Sequence, residues 1–346
     1  MHTVFITGCG GYIGALLVDR LSKREDVDLI VGLDKEPLPK LIQENKKLHF
    51  IQGNTDGDWE MEVSRYKPDI VIHAAWQIRE LYGQKNTQTR WNINGTHQVF
   101  DFVFGSGSVR RCVHFGSVAS YGAFRNNKPE FVFTEQSPLR KSSYSYAEEK
   151  RISEEMLDDL YQKYEDHTKH LPQIFTVRPA SITGPYGKKR TKFSLQSVLG
   201  GTVREGIIAR ILAKFMSFTP ISSGWARQFV HEDDVCAAVE HLAFENFTVE
   251  KDILNLCPPG NYIDGVTMSE MLEKKPVKLP AFLYSIVFWF AWHLTRGRIP
   301  TPKGSYKTYV YPVIVDGTKI SREYGFVYSY DTREAFTTKK GLYAQL

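Results

Sequence analysis

What most narrows the folds open to this chain lies in its first residues. His2-Thr3-Val4-Phe5-Ile6-Thr7 has the composition of a short buried strand and runs without a linker into Gly8-Cys9-Gly10-Gly11-Tyr12-Ile13-Gly14. Leu16, Leu17 and Leu21 then recur at helical spacing. A strand, a glycine turn and a helix in that order form a cradle in which backbone N–H groups at a helix N-terminus hold a pyrophosphate. Gly8, Gly11 and Gly14 supply the tight turn, the close backbone approach and the close helix packing, with Tyr12 and Ile13 in the same turn. The next strand, Asp28 to Asp34, ends in an acid about twenty residues beyond Gly14, where a ribose-binding carboxylate belongs. Asp34 would accept hydrogen bonds from both ribose hydroxyls and repel a 2′-phosphate, which predicts NAD over NADP. Lys35 is the neighbour that softens this preference.

Further strand-like runs follow at the spacing of repeated βα units: Leu48–Gly53, Ile70–His73, Arg111–Phe115 and Ile174–Arg178. Short apolar strands alternating with helical stretches predict an α/β fold, a Rossmann-type doubly wound parallel sheet covered by helices on both faces. Ligands of such sheets collect beyond the carboxyl ends of the strands. That rule singles out Ala74 and Ala75, then Ser117, then Pro179 and Ser181. Residues 1–178 are expected to form the cofactor domain, with a strand near 252–256 returning to it. Residues 179–346 should mainly form a smaller C-terminal substrate-binding lobe, ending in a helix from Thr332.

Within the run Tyr144-Ser145-Tyr146-Ala147-Glu148-Glu149-Lys150, Tyr146 and Lys150 stand one helical turn apart, so a phenol and an ammonium share a face. A tyrosine acting at neutral pH must titrate roughly three units below its usual value, about 4 kcal/mol. One unit charge at about 4 Å and an effective dielectric near 20 supplies roughly that much. The pair is therefore a candidate acid/base, with Lys150 lowering the Tyr146 pKa. Tyr144 is two residues away and off that face, and Glu148 stands where its lysine would be.

Composition fits an enzyme. A chain of 346 residues can bury a large core, and a formal net charge of +5, with basic residues spread among acids, gives no support to nucleic-acid binding. Cys9, Cys112, Cys236 and Cys257 lie far apart with no metal-ligand spacing, so reduced thiols, no metal and a cytoplasmic protein are expected. The first strand starts directly after Met1 and leaves no room for a signal peptide. Ala281–Leu294, AFLYSIVFWFAWHL, is apolar almost all round. As a helix it would span about 21 Å, short of the roughly 30 Å hydrocarbon core. Because aromatic residues make up 13% of the chain, a buried or substrate-facing helix is expected. The alternative is an interfacial helix flanked by Lys275, Lys278, Arg296 and Arg298.

Read together, these elements resemble the extended short-chain dehydrogenase/reductases, the NAD-dependent epimerase/dehydratase family. The resemblance rests on Thr7-Gly8-x-x-Gly11-x-x-Gly14, Asp34, His73-Ala74-Ala75, Asn92-Ile93-Asn94-Gly95-Thr96 and Ser117 to Gly122. It continues through Tyr146-x-x-x-Lys150, Arg178-Pro179, Gly184-Pro185 and Arg227-Gln228-Phe229-Val230-His231-x-x-Asp234-Val235. It implies that Tyr146 is the general acid or base, that Lys150 holds the nicotinamide ribose, and that Ser117 hydrogen-bonds the reacting oxygen. Asn92 would brace the site, Asn54 and Thr55 would approach the adenine, and Ala74, Ala75 and Pro179 would line the cofactor. A homodimer is implied too.

Substrate choice should lie beyond Arg178, itself left without a role. Arg227 sits where sugar-nucleotide members contact the diphosphate, whereas Ser181 replaces the asparagine of the well-known epimerases. Pro185 to Arg190 suggests a basic loop, and His231 a structural histidine with Asp233 and Asp234 capping a helix from Val235 to Phe244. The leading expectation is a nucleotide-sugar epimerase. A dehydrogenase or reductase of an apolar, steroid-like or flavonol-like alcohol shares the same site. A non-catalytic NAD-binding sensor would have little need for Ser117, Tyr146 and Lys150 together, and a dehydratase would carry an acidic pair where Val118-Ala119 stands.

Overall fold

The computed structural model describes residues 1–165, 171–190 and 218–345, without the side chains of Lys189 and Arg190. Among these residues, seven strands form one parallel sheet: β1 (His2–Thr7), β2 (Val27–Asp34), β3 (Leu48–Gln52), β4 (Ile70–His73), β5 (Arg111–Phe115), β6 (Gln173–Pro179) and β7 (Lys251–Leu256). Their order is β7-β6-β5-β4-β1-β2-β3, and every neighbouring pair is parallel. Each strand lies within one residue of the boundaries expected from sequence.

Side-chain alternation gives the sheet two apolar faces. Val4, Ile6, Ile30 and Ile72 point to one, where α1 (Tyr12–Ser22) packs through Leu16, Leu17 and Leu21 and α4 (Glu232–Phe244) through Val235, Val239 and Leu242. Phe5, Val31, Val71 and Cys112 point to the other, under α2 (Gly95–Gly105) and α3 (Ser145–Glu165), which contribute Val99, Phe100, Leu157 and Tyr161. The chain winds outward from β1 to β3 and then returns to β4 on the far side of β1, so a crevice opens between the ends of β1 and β4. Gly8 turns there at φ +74°, and a Cβ on it would lie 2.6 Å from the Ala75 nitrogen. Only glycine permits both the conformation and the approach.

A smaller core of Ile221, Trp225, Phe229, Ile263, Met268 and Phe336 lies apart from the sheet. Short strand pairs accompany it, Phe218–Ile221 with Lys275–Lys278 and Ala226–Arg227 with Ile263–Asp264.

Three sequence expectations change. Helix α4 begins at Glu232, and its cap is His231, whose ring accepts from the Asp233 amide at 3.2 Å. The two aspartates are drawn elsewhere: Asp234 accepts from the Ser329 and Tyr330 amides and Asp233 from that of Leu342. Pro185–Arg190 is a short helix rather than a loop, because the Glu232 carboxylate accepts from the Tyr186 and Gly187 amides at its start. Most consequentially, α5 (Ala281–Leu294) is not a buried helix. Tyr284 and Trp292 are buried, whereas Phe282, Ile286, Val287, Trp289, Phe290 and Leu294 face outward. Neighbouring elements meet it along one side, where Trp292 lies 5.3 Å from the Tyr82 ring and Phe288 lies 5.1 Å from that of Tyr309. No described helix is long and apolar enough to cross a membrane.

Behind the strand ends lies a buried polar network. The Arg178 guanidinium donates to Glu154 through Nε and Nη2 at 2.8 and 2.6 Å and to the Tyr121 hydroxyl at 2.7 Å. Tyr121 donates in turn to Asn255 on β7 at 2.9 Å. Removing one member of a buried pair strands the other charge and costs about 3–5 kcal/mol. Arg178→Met should therefore lower the unfolding free energy by that amount in urea titrations, and Arg178→Met/Glu154→Leu should recover most of it. Additive losses in this cycle would show that the two side chains act independently.

Candidate active site

One cavity of about 730 Å³ opens at the carboxyl ends of the strands and gathers the candidate cofactor, catalytic and substrate residues. Gly8, Gly11, Tyr12, Ile13, Gly14 and Asp34 line one region of it, joined by Asn54 and Thr55 from the loop after β3. Ala74, Ala75 and Asn92 line it from β4 onward, and Ser117, Tyr146, Lys150, Pro179, Ser181 and Arg227 complete the wall.

The glycine turn leaves the first amides of α1 without intrahelical acceptors, as at any helix start. A Cβ on Gly14 would stand 1.9 Å from the Gly8 carbonyl oxygen, so the helix packs directly on the turn. Asp34 braces this turn: its Oδ2 accepts from the Gly10 amide at 2.8 Å and its Oδ1 from that of Glu36 at 2.9 Å. Burial raises the Asp34 pKa and these two bonds draw it back. A carboxylate has about four acceptor positions, so two bonds leave capacity for ribose hydroxyls. Lys35 is held elsewhere, its ammonium 3.0 Å from Gln77 Oε1 and 3.9 Å from the centre of the Trp91 ring.

Tyr146 and Lys150 lie on the first turns of α3, as their spacing requires, Tyr146 half-buried and Lys150 buried. Ser117 follows β5, and its hydroxyl accepts from the Ala119 amide at 3.1 Å, capping a short turn. Burial pushes the Tyr146 pKa above the ordinary value, and the neighbouring Ser117 side chain draws it back. The expected lowering by Lys150 is not what this arrangement provides. Lys150 Nζ donates to the Phe115 carbonyl at 2.5 Å and sits 3.5 Å from the Trp76 ring centre. Burial pulls its pKa down to about 7, against the opposing pull of Glu154 and Glu149.

Around this pair the wall is tied together by side-chain hydrogen bonds. Asn92 Oδ1 accepts from the Gln77 amide at 2.8 Å while its Nδ2 donates to Glu149 at 2.7 Å. His73 bridges Thr7 and Thr96 at 2.6 and 2.9 Å and stacks on His114 with ring centres 5.3 Å apart. Desolvation, aided by the Lys150 charge, drops His73 to about 3 and His114 well below its usual value, so both stay neutral. Arg227 donates to the Thr308 carbonyl at 2.5 Å, with its guanidinium 5.4 Å from the Tyr309 ring centre. Lys188, from the basic run, also reaches the cavity, while the side chains of Lys189 and Arg190 lie outside the described residues.

The model of the NAD dependent epimerase/dehydratase family matches residues 4–257, the span that carries all seven strands of the sheet. The chain belongs to the NAD dependent epimerase/dehydratase family. The UDP-glucose 4-epimerase of Mycolicibacterium smegmatis is 24% identical to it over 241 residues, 67% of this chain and 70% of that protein. Among solved structures it resembles the Bordetella bronchiseptica enzyme WbmG in complex with NAD, with a TM-score of 0.70 and 19% identity over 97% of this chain and 92% of that one. MoeE5 in complex with UDP-glucuronic acid and NAD gives a TM-score of 0.69 and 18% identity, over 97% of each chain. At such identities the structural likeness concerns the fold.

Several wall residues of this family member were not selected from its sequence. Tyr144 precedes α3, which starts at Ser145, so helical spacing does not govern it; its ring lies 5.8 Å from that of Tyr146 and lines the same cavity. Trp76, Tyr309 and Tyr311 also line it, from segments with no motif of their own.

Lys150 gives a pH test of this geometry. Its folded pKa is below its unfolded value, so the folded state pays the full cost of a buried ammonium at pH below about 7. As pH rises from 7 toward the unfolded value of roughly 10.4, the unfolded chain holds the extra proton and stability rises, by at most about 1.4 kcal/mol per pH unit. The stability of the native protein relative to Lys150→Met should therefore climb between pH 7 and 10 in urea titrations. A flat difference would mean that Lys150 keeps its full charge in the fold.

Proposed function

We propose that this protein is an NAD-dependent epimerase of a nucleotide sugar, acting through a transient ketone at one sugar carbon. The observation that carries the reading is the convergence of Ser117, Tyr146 and Lys150 on the same cavity as the glycine turn and Asp34. The residues fit the dinucleotide. Gly8, Gly11, Gly14 and the first amides of α1, with Tyr12 and Ile13, would hold its pyrophosphate. Asp34 would hold a ribose, Asn54, Thr55, Ala74 and Ala75 would flank the adenosine half, and Lys150, Asn92 and Pro179 would serve the nicotinamide half.

When bound, NAD supplies a reversible hydride acceptor. Tyr146 takes the proton of the sugar hydroxyl as that carbon is oxidised and returns it when the ketone is reduced on its opposite face. Ser117 hydrogen-bonds the same oxygen. Burial makes Tyr146 a reluctant base, which the Ser117 side chain eases, and Lys150, one turn along the same helix, would hold the nicotinamide ribose. Arg227, half-buried at the wall beside Tyr309, serves the diphosphate, with Ser181 as a further substrate contact.

A dehydrogenase of an apolar alcohol is the second reading, favoured by the rings of Trp76, Tyr144, Tyr309 and Tyr311 on the wall. Cofactor retention and redox balance separate the two. Protein purified without added cofactor should release near-stoichiometric NAD on denaturation, and should isomerise UDP-glucose or UDP-glucuronic acid with no net NADH. Tyr146→Phe should lower kcat by at least about a hundredfold with dinucleotide content unchanged. NADH accumulating in step with an oxidised apolar alcohol would replace the epimerase by the dehydrogenase. Unchanged turnover in Tyr146→Phe would sink both.

A further inference from the structure

The outward side of α5 is apolar and, among the described residues, left uncovered. Phe282, Ile286, Trp289 and Phe290 recur at i, i+4, i+7 and i+8, with Val287 and Leu294 beside them, and each is at least 47% exposed. A single exposed apolar side chain needs no explanation, whereas six along one helix face mark an interaction surface.

The surrounding charge selects the partner. Between Lys274 and Val315 the chain carries Lys274, Lys275, Lys278, Arg296, Arg298, Lys303 and Lys307 and no Asp or Glu. Over the whole chain 44 basic residues nearly balance 39 acids, so this acid-free stretch is a local feature. Lys275 and Lys278 are exposed before the helix, and Arg296, Arg298 and Lys303 after it. A second copy laid on the same face would oppose these cations to one another. An anionic lipid surface satisfies both the apolar face and its basic flanks, and a helix of 14 residues, about 21 Å long, lies in the plane of a bilayer without crossing it.

The helix also belongs to the cavity's surroundings. Its inner side holds Tyr82 through Trp292 and Tyr309 through Phe288, and the segments leading to these tyrosines supply Trp76, Gln77, Thr308 and Tyr309 to the cavity wall. We infer that α5 is an in-plane anchor that docks the protein on an anionic phospholipid bilayer, with the Arg227 region of the cavity beside the membrane surface.

The test is co-sedimentation of the full chain with vesicles of phosphatidylglycerol mixed into phosphatidylcholine, and with pure phosphatidylcholine. Binding should be strong to the first at low salt and weak to the second. Trp289→Ser/Phe290→Ser should weaken it about a hundredfold, the equivalent of withdrawing two buried aromatic side chains. Lys275→Glu/Lys278→Glu should weaken it at least about tenfold. All four side chains are exposed, so the variants should keep the native unfolding midpoint, which is measured alongside. Protein that stays in the supernatant with both vesicles overturns the inference. So does a dimer in solution that Trp289→Ser/Phe290→Ser converts to monomer without any vesicle binding, since a second copy would then cover the face. Vesicle binding is read without substrate, so its outcome is independent of the epimerase assignment.

Discussion

The close passage of Gly8 beside Ala75 is the constraint on which the rest of the molecule is arranged. A sheet wound outward in both directions from β1 must part its chain between β1 and β4, and what fills that parting decides whether a ligand can enter. Here it is filled by backbone: a Cβ on Gly8 would fall 2.6 Å from the Ala75 nitrogen, and one on Gly14 would strike the Gly8 carbonyl. Thr7 ties the two exits together, its hydroxyl bonded to His73 at 2.6 Å and accepting from the Ala75 amide at 3.3 Å. Because the strand exits are pinned this tightly, α1 starts at the floor of the cavity, and Asp34 on the neighbouring strand can brace the turn through Gly10.

The other organising feature is how buried cations are managed behind that floor. Arg178 is neutralised in place by Glu154 and anchored by Tyr121, and so it welds β6 to α3 and, through Asn255, to β7. Lys150 is treated differently. A carbonyl and an indole face accept it, and burial shifts it toward neutrality. His73 and His114, stacked close by, are kept uncharged by burial and add no repulsion. The Arg178 charge is thus paired inside the fold, while Lys150 lines the cavity.

How much of this was legible in the sequence follows from the range of the interactions. Strands buried on both faces are continuous apolar runs closed by Gly, Asp or His, so their ends could be placed to within a residue, and the residues just beyond them line the cavity. Tyr144 was set aside by a helical argument that does not apply, because α3 begins one residue later. Trp76, Tyr309 and Tyr311 carry no local signal and reach the cavity through tertiary packing. The capping of α4 turned on which of His231, Asp233 and Asp234 the C-terminal segment would claim, a contest settled by residues about a hundred positions away. For α5 periodicity had nothing to say, since a helix apolar on all sides looks the same whether one side or every side is covered.

That last ambiguity bears on how the site works. An inner side of α5 sufficient for folding needed only Tyr284, Trp292 and Phe288, and a polar outer side would have served solubility better. Among the described residues nothing covers that apolar outer side. The inner contacts determine what lies behind it: Phe288 bears on Tyr309, whose ring lies 5.4 Å from the Arg227 guanidinium, and Trp292 bears on Tyr82, a few residues beyond Trp76 and Gln77. Trp76 meets Lys150, and Gln77 is held by Asn92. A surface that seats α5 would therefore lie next to both of these walls, the one that carries Tyr309 and Arg227 and the one that carries Trp76 and Gln77.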